Sequence, residues 1–238
     1  MKTQKSTIVW LVALVAALVV LGYFIFQTSS LQTQINDLKT QVSASALNLN
    51  DLNITLTNAD RFSSKLHDLL QEHTFLLIDT IRRSTNPAAS YPDSLTALQN
   101  NINEVGTLLT PIYGTNSQQL VNLWNTKVNI FLNYSTAVKN SDPNANTQFA
   151  SDAAGYEEAV ATFWASTNNP YPTFDKATMK QYTTNNMNNV KAAVDAWNAK
   201  DYPGYFSDLH TAYTQMGTYA DVISQGIISQ NQNYFLQQ

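Results

Sequence analysis

Cysteine is absent from the 238 residues. That excludes disulfides, thiol nucleophiles and Cys-based zinc sites. Charge is scarce as well: Asp, Glu, Lys and Arg make up 13% of the chain, against about 25% in an ordinary soluble domain. The basic residues form no cluster and the net charge is -4, so the electrostatic footprint of a nucleic-acid binder is missing and no such partner is expected. The seven glycines are scattered, which leaves no glycine-rich phosphate loop. No segment alternates with period two, so no sheet is expected.

What the chain does contain is 44% hydrophobic and 11% aromatic residues, enough for a proper core. Asn, Gln, Thr, Ser and Tyr supply the polar surface in place of charge. The length suits one domain plus an anchor. From Thr7 to Phe26 the sequence reads TIVWLVALVAALVVLGYFIF, without a charge. At about 1.5 Å per residue such a helix crosses the roughly 30 Å hydrocarbon layer. Trp10 near one end and Tyr23 and Phe24 near the other suit the two membrane interfaces. Lys2 and Lys5 precede the run, and the next basic residue is Lys39. The positive-inside rule then makes residues 1–6 a cytoplasmic tail and puts everything after residue 26 outside. A cleaved signal peptide competes with this reading. Gln27-Thr28-Ser29-Ser30 offers no small-x-small cleavage site, which favours a retained signal-anchor in the cell membrane.

Residues 27–60 read as a helical stalk. Leu31, Leu38, Leu52 and Leu66 share one heptad position, and Ile35, Val42, Leu49, Leu56, Leu70 and Leu77 the other. A stripe of this period either joins copies as a coiled coil or packs on the chain's own domain. Few flanking charges, and Asn48, Asn50, Asn53 and Asn58 beside the stripe, weigh against a strong zipper.

Residues 61–230 carry about six segments with core stripes at three-four spacing, divided at Ser84-Thr85-Asn86-Pro87, Gly114, Ser141-Asp142-Pro143-Asn144, Asn168-Asn169-Pro170 and Asp201-Tyr202-Pro203. The second is expected to start after Ser94, and the sixth to bury Phe206 and Leu209. Short connections require antiparallel neighbours, so the expected fold is an all-α, up-and-down helical bundle. Lys127 to Asp142 aligns with Asn186 to Asp201 at a constant offset, the mark of a weak helical-hairpin repeat. Residues 231–238 are read as a C-terminal tail.

Little of this carries chemistry. Glu157 and Glu158 lie off the core stripe and read as a solvated face. His67 and His73 are on different faces of one helix and do not make an i, i+4 metal pair. Four helices nevertheless place one polar residue each on the core stripe: His73, Lys127, Asn186 and Tyr213. Either these are edge positions, with Lys127 snorkelling and Tyr213 plain core, or they meet as a polar cluster at the bundle centre. In the second case the imidazole should titrate below its usual range, and removing His73 should destabilise the domain. Asn53-Ile54-Thr55 and Asn133-Tyr134-Ser135 match the glycosylation sequon. Asn53 is expected to be the more exposed, because Asn133 adjoins the core residue Tyr134.

Gln71-Glu72-His73, the run Asn101 to Gly106 followed by Pro111-Ile112-Tyr113-Gly114, the Asn169-Pro170-Tyr171-Pro172 turn, and Ala220 to Ile228 together resemble a family of helical-bundle proteins of unknown function. The family occurs in spore-forming Gram-positive bacteria, and its members often carry the labels glycosyltransferase or acetylglutamate synthase. The resemblance covers about Leu66 to Phe235. It implies inward histidines on the helices; here only His73 matches, and Lys127, Asn186 and Tyr213 stand where others would be. The expected function is a non-enzymatic, membrane-anchored extracytoplasmic module that binds a protein partner, an envelope component or a small ligand. The alternatives are a bundle holding a metal ion or cofactor at His73, and an enzyme acting on an envelope sugar or peptide. No catalytic residue and no cofactor is assigned.

Overall fold

The computed structural model describes residues 36–37, 39–43, 57–86, 90–166 and 172–236. The expected anchor at 7–26, most of the stalk and Asn53 lie outside the described residues. Among the described residues no helix is long and apolar enough to cross a membrane. The chain divides into two units, Met1–Ile54 and Thr55–Gln238. In the first, residues 36–37 and 39–43 are helical and exposed.

The second unit is all-α, with no strand among the described residues. Its helices are α1 over residues 57–84, α2 Tyr91–Tyr113, α3 Ser117–Lys139, α4 Ala145–Ala165, α5 Lys176–Asn198, α6 Tyr202–Gln230 and the short α7 Gln232–Leu236. From α2 to α6 each helix packs on the next, antiparallel. α1 lies between the first and last of these. It meets α2 where Asn101 Nδ2 donates to Leu69 O, 3.0 Å, and where Lys65 pairs with Glu104, 3.3 Å. It meets α6 at Ser63–Ser224, 3.0 Å between hydroxyls, and His67–Asp221, 2.8 Å. The ascending numbers on α1 against descending numbers on α6 make this pair antiparallel too.

The turns follow from local chemistry. Gly114 takes φ 54°, a left-handed value that favours glycine, and a single 3-10 turn over Gly114–Asn116 reverses the chain into α3. Asp175 caps α5 by accepting from Thr178 N at 2.7 Å, and Asp201 caps α6 by accepting from Gly204 N at 3.1 Å. The ends of α3 and α5 are built alike. Ser141 and Lys200 are left-handed, at φ 55° and 62°. Ser141 N donates to Val138 O and Asp142 N to Ala137 O; Lys200 N donates to Trp197 O and Asp201 N to Ala196 O. Each is a Schellman motif, the paired bonds satisfying the last carbonyls of its helix. They fall at equivalent places in the two aligned segments.

The core runs the length of the bundle and includes Leu66, Leu70, Leu77, Leu98, Ile102, Trp124, Phe131, Val160, Met187, Val190, Met216 and Ile223. α2 and α3 touch at Gly106, where an added Cβ would lie 2.5 Å from Val121 Cγ2. Tyr113 Oη donates to Pro172 O at 3.2 Å and ties the α4–α5 connection to the end of α2.

Four expectations need correction. α2 begins at Tyr91, with Pro92 in its first turn, where the missing N–H would have no helical partner anyway; Ser94 is thus inside the helix. Residues 231–238 are not simply a tail: α7 buries Phe235 against Phe62, ring centroids 5.4 Å apart. On α6 Phe206 is 64% exposed, and Tyr213 is 38% exposed. The inward stripe of α6 runs instead through Tyr205, Ala212, Met216, Ala220, Ile223 and Ile227. Ala212 lies fully buried on this stripe, and Tyr213 turns to solvent.

Candidate functional site

His73, on α1, is fully buried. Its ring packs on Trp124 of α3, centroids 4.6 Å apart and tilted by 33°. Neither ring nitrogen has a hydrogen-bond partner, nor has Asn101 Oδ1 beside it. Burial, then the nearby Lys127 ammonium, push the imidazole well below its ordinary range, against a smaller raising effect of Asn101. His73 is therefore neutral at physiological pH.

Lys127, one turn beyond Trp124, is 2% exposed, and among the described residues no carboxylate pairs with it. Its Nζ donates to Asn186 Oδ1 on α5 at 2.5 Å. Asn186 Nδ2 donates to Gln215 Oε1 on α6 at 3.2 Å, and Gln215 Nε2 donates to Tyr182 O at 3.1 Å. The chain of bonds thus links α3, α5 and α6. Desolvation brings the ammonium down to about 7, since a buried charge without a counter-ion is disfavoured.

The structure accordingly brings together His73, Lys127 and Asn186 and leaves Tyr213 at the surface. Gln215, two residues on, makes the link from α6 that Tyr213 was expected to make. The sequence offered a weak sign of this, since Gln215 neighbours the core residue Met216. Lys127 leans on Asn186 rather than on His73, so the bonding gives no reason for the domain to depend on His73.

Among the described residues no three of His, Asp and Glu come together. Asp68 is exposed, Glu72 accepts from Asn101 Nδ2 at 2.9 Å on the α2 side, and a cation would sit against Lys127. His210 is exposed, and His67 is engaged by Asp221. Glu158 is exposed and lies between Lys176 and Lys180, which hold its carboxyl at about 2. Glu157 accepts from Thr184 Oγ1 at 2.7 Å. Asn133 is exposed on α3 although it adjoins buried Tyr134, because successive helical residues point about 100° apart.

A second arrangement lies on the surface. Between α2 and α3 runs a groove of about 480 Å3 whose lining, from Tyr91 to Asn103 on one side and Asn125 to Leu132 on the other, includes no charged side chain. No protein-family model, curated protein or solved structure matches the chain.

Proposed function

We propose that the protein is a membrane-anchored binding module whose helical bundle works outside the cytoplasm and engages an envelope component or a partner protein through its surface. One observation carries the reading. The perturbed amine and imidazole, Lys127 and His73, are sealed in the core, whereas the concave surface between α2 and α3 is lined by uncharged amides over aliphatic side chains. That is the make-up of a binding surface rather than of an acid–base site. The uncharged run from Thr7 to Phe26 supplies the anchor, the residues after it the stalk through which copies can associate, and the family resemblance supports a bundle without a fixed activity. We read α3–α4 and α5–α6 as a duplicated hairpin, which accounts for the matching helix ends.

The test uses the full chain in its native membrane. Protease added to protoplasts should remove the bundle while a cytoplasmic marker survives. Cross-linking before solubilisation should then retain a discrete partner or envelope polymer. A bundle shielded from protease, or a monodisperse protein that retains nothing after cross-linking, would overturn the proposal.

A further inference from the structure

The groove between α2 and α3 has a defined chemistry. Tyr91, Leu95, Gln99 and Asn103 follow one another at four-residue intervals, so they form a single row along α2. Opposite them on α3 stand Asn125, Asn129 and Leu132, with Val128 beneath. Val128 is buried and Leu95 and Leu132 are half-buried, making an aliphatic floor. Gln99, Asn103 and Asn129 are exposed and form the walls. Asn125 Nδ2 donates to Val121 O at 3.0 Å, which leaves its Oδ1 for a ligand. Glu104, the acid next to Asn103, is engaged by Lys65 on the α1 side.

This lining selects by elimination and by match. With no Lys, Arg or carboxylate, it offers nothing to balance a phosphate, a carboxylate or a cation. An extended peptide recognised through its backbone needs a sheet edge, and an amphipathic helix needs an apolar trough; the walls here are amides. Each primary amide presents an acceptor and two donors on a short side chain. That set complements a hydroxyl, which both gives and accepts a proton, and an acetamido group, which carries one N–H and one C=O. The aliphatic strip suits the C–H face of a pyranose ring, and the Tyr91 ring lies at one end. The α2 row rises about 18 Å from Tyr91 to Asn103, room for a short chain of sugar rings rather than one.

We infer that the α2–α3 groove binds an uncharged oligosaccharide bearing acetamido groups, with Gln99, Asn103 and Asn129 reading its hydroxyl and amide substituents over Leu95, Val128 and Leu132. The inference rests on the binding-module reading and names the ligand class for it.

The experiment is saturation-transfer NMR on the full chain in lipid nanodiscs, which avoids sugar-headed detergents. The probes are tetra-N-acetylchitotetraose and, for contrast, maltotetraose. The acetamido probe should bind saturably and more tightly than maltotetraose. The double substitution Gln99→Ala and Asn129→Ala should weaken it by about tenfold or more, since two hydrogen bonds are lost. Tyr91→Ala should remove saturation transfer to the terminal ring. Gln99 and Asn129 are exposed, so the melting temperature of the double variant should stay within a degree or two of the parent and thereby show an intact fold; Tyr91 is half-buried at the first residue of α2, so its variant is read only if its melt is cooperative and close to the parent's. Absence of saturable binding, equal binding of the two probes, or a double variant that binds as the parent does overturns the inference. If no sugar binds yet the double variant loses its cross-linked partner, the glycan assignment fails and the binding module stands. If no sugar binds and the parent too retains nothing after cross-linking, both fail.

Discussion

Lys127 donates to Asn186 from the position that Asn186 itself occupies one hairpin later. The two residues are 59 apart, the same interval that separates the left-handed caps at Ser141 and Lys200. Equivalent positions on the parallel helices α3 and α5 thus meet in the interior. One carries an amine and the other an amide, so the pair satisfies by hydrogen bonding what two lysines there could not.

The amine makes stability depend on pH in a definite direction. Folding lowers Lys127 from 10.5 to about 7, so between those values the unfolded chain binds the extra proton and raising the pH favours the fold. The melting temperature should climb from pH 7 towards pH 10. Above that it should fall, because burial raises the Tyr113 and Tyr219 hydroxyls and they ionise first in the unfolded chain. Thermal melts across this range check the curve. Lys127→Met should raise the melting temperature at pH 7 and flatten the climb, whereas an unchanged slope would remove Lys127 as its cause.

His73 is expected to be dispensable for stability. Its two unpartnered nitrogens each carry a desolvation cost of about 1–3 kcal/mol, set against a ring contact with Trp124 worth about 0.5–1.5 kcal/mol. His73→Leu should therefore leave the fold equally stable or up to about 2 kcal/mol more stable. Because the folded imidazole is held below its ordinary range, the parent loses stability as the pH drops through 6.5, and the variant should lose less. Urea unfolding at pH 5 and pH 7 measures both. A clearly destabilised variant would contradict the bonding described above.

The two helix caps offer a direct gain. Ser141 and Lys200 hold left-handed backbone without being glycine, at a cost of about 1–2 kcal/mol for an ordinary L residue. Ser141→Gly and Lys200→Gly should each add about 0.5–1 kcal/mol, after the extra chain entropy of glycine is subtracted. Chemical denaturation of the two single variants and the double should show similar, additive increments.

Two glycines inside helices should answer oppositely to the same change. A methyl group at Gly155 meets nothing within 4 Å, so Gly155→Ala should stabilise by up to about 1 kcal/mol through helix propensity alone. At Gly106 it would press on Val121 at 2.5 Å, and Gly106→Ala should destabilise by about 1–3 kcal/mol. Calorimetric melts in which both changes stabilise would mean that the α2–α3 approach is looser than described.

Much of the bundle was legible because its breaks are chemical. Asp175, Gly114, and the proline-containing turns mark ends that propensity and capping dictate, and the stripes through Leu66, Leu70 and Leu77 or Trp124 and Phe131 admit one inward face. On α6 the failures came where two adjacent residues could each continue a stripe. Counting back from Met216, both Ala212 and Tyr213 keep the three-four rhythm, and hydrophobic size favours the tyrosine. The way α6 packs on its neighbours, which one helix's sequence does not carry, puts the alanine inside. Lys127 and Asn186 were both legible as polar residues on core stripes, which put their partnership within reach. The uncharged groove was not, because exposed amides have no periodic signature, and only the placing of α2 beside α3 turns them into one surface.

The pairing of α1 with α6 imposes an order on biogenesis. Ser63 and Ser224 are 161 residues apart, His67 and Asp221 are 154 apart, and Asn58, which donates to Phe235 O, reaches across 177. Such contacts close late, since long loops must be ordered before they form. At a synthesis rate of about 5–20 residues per second, α1 waits many seconds for its last partner. During that interval the hairpins from α2 to α6 can assemble in sequence while one flank of α1 stays uncovered. A chain halted before residue 221 would keep that flank bare, a natural foothold for a chaperone.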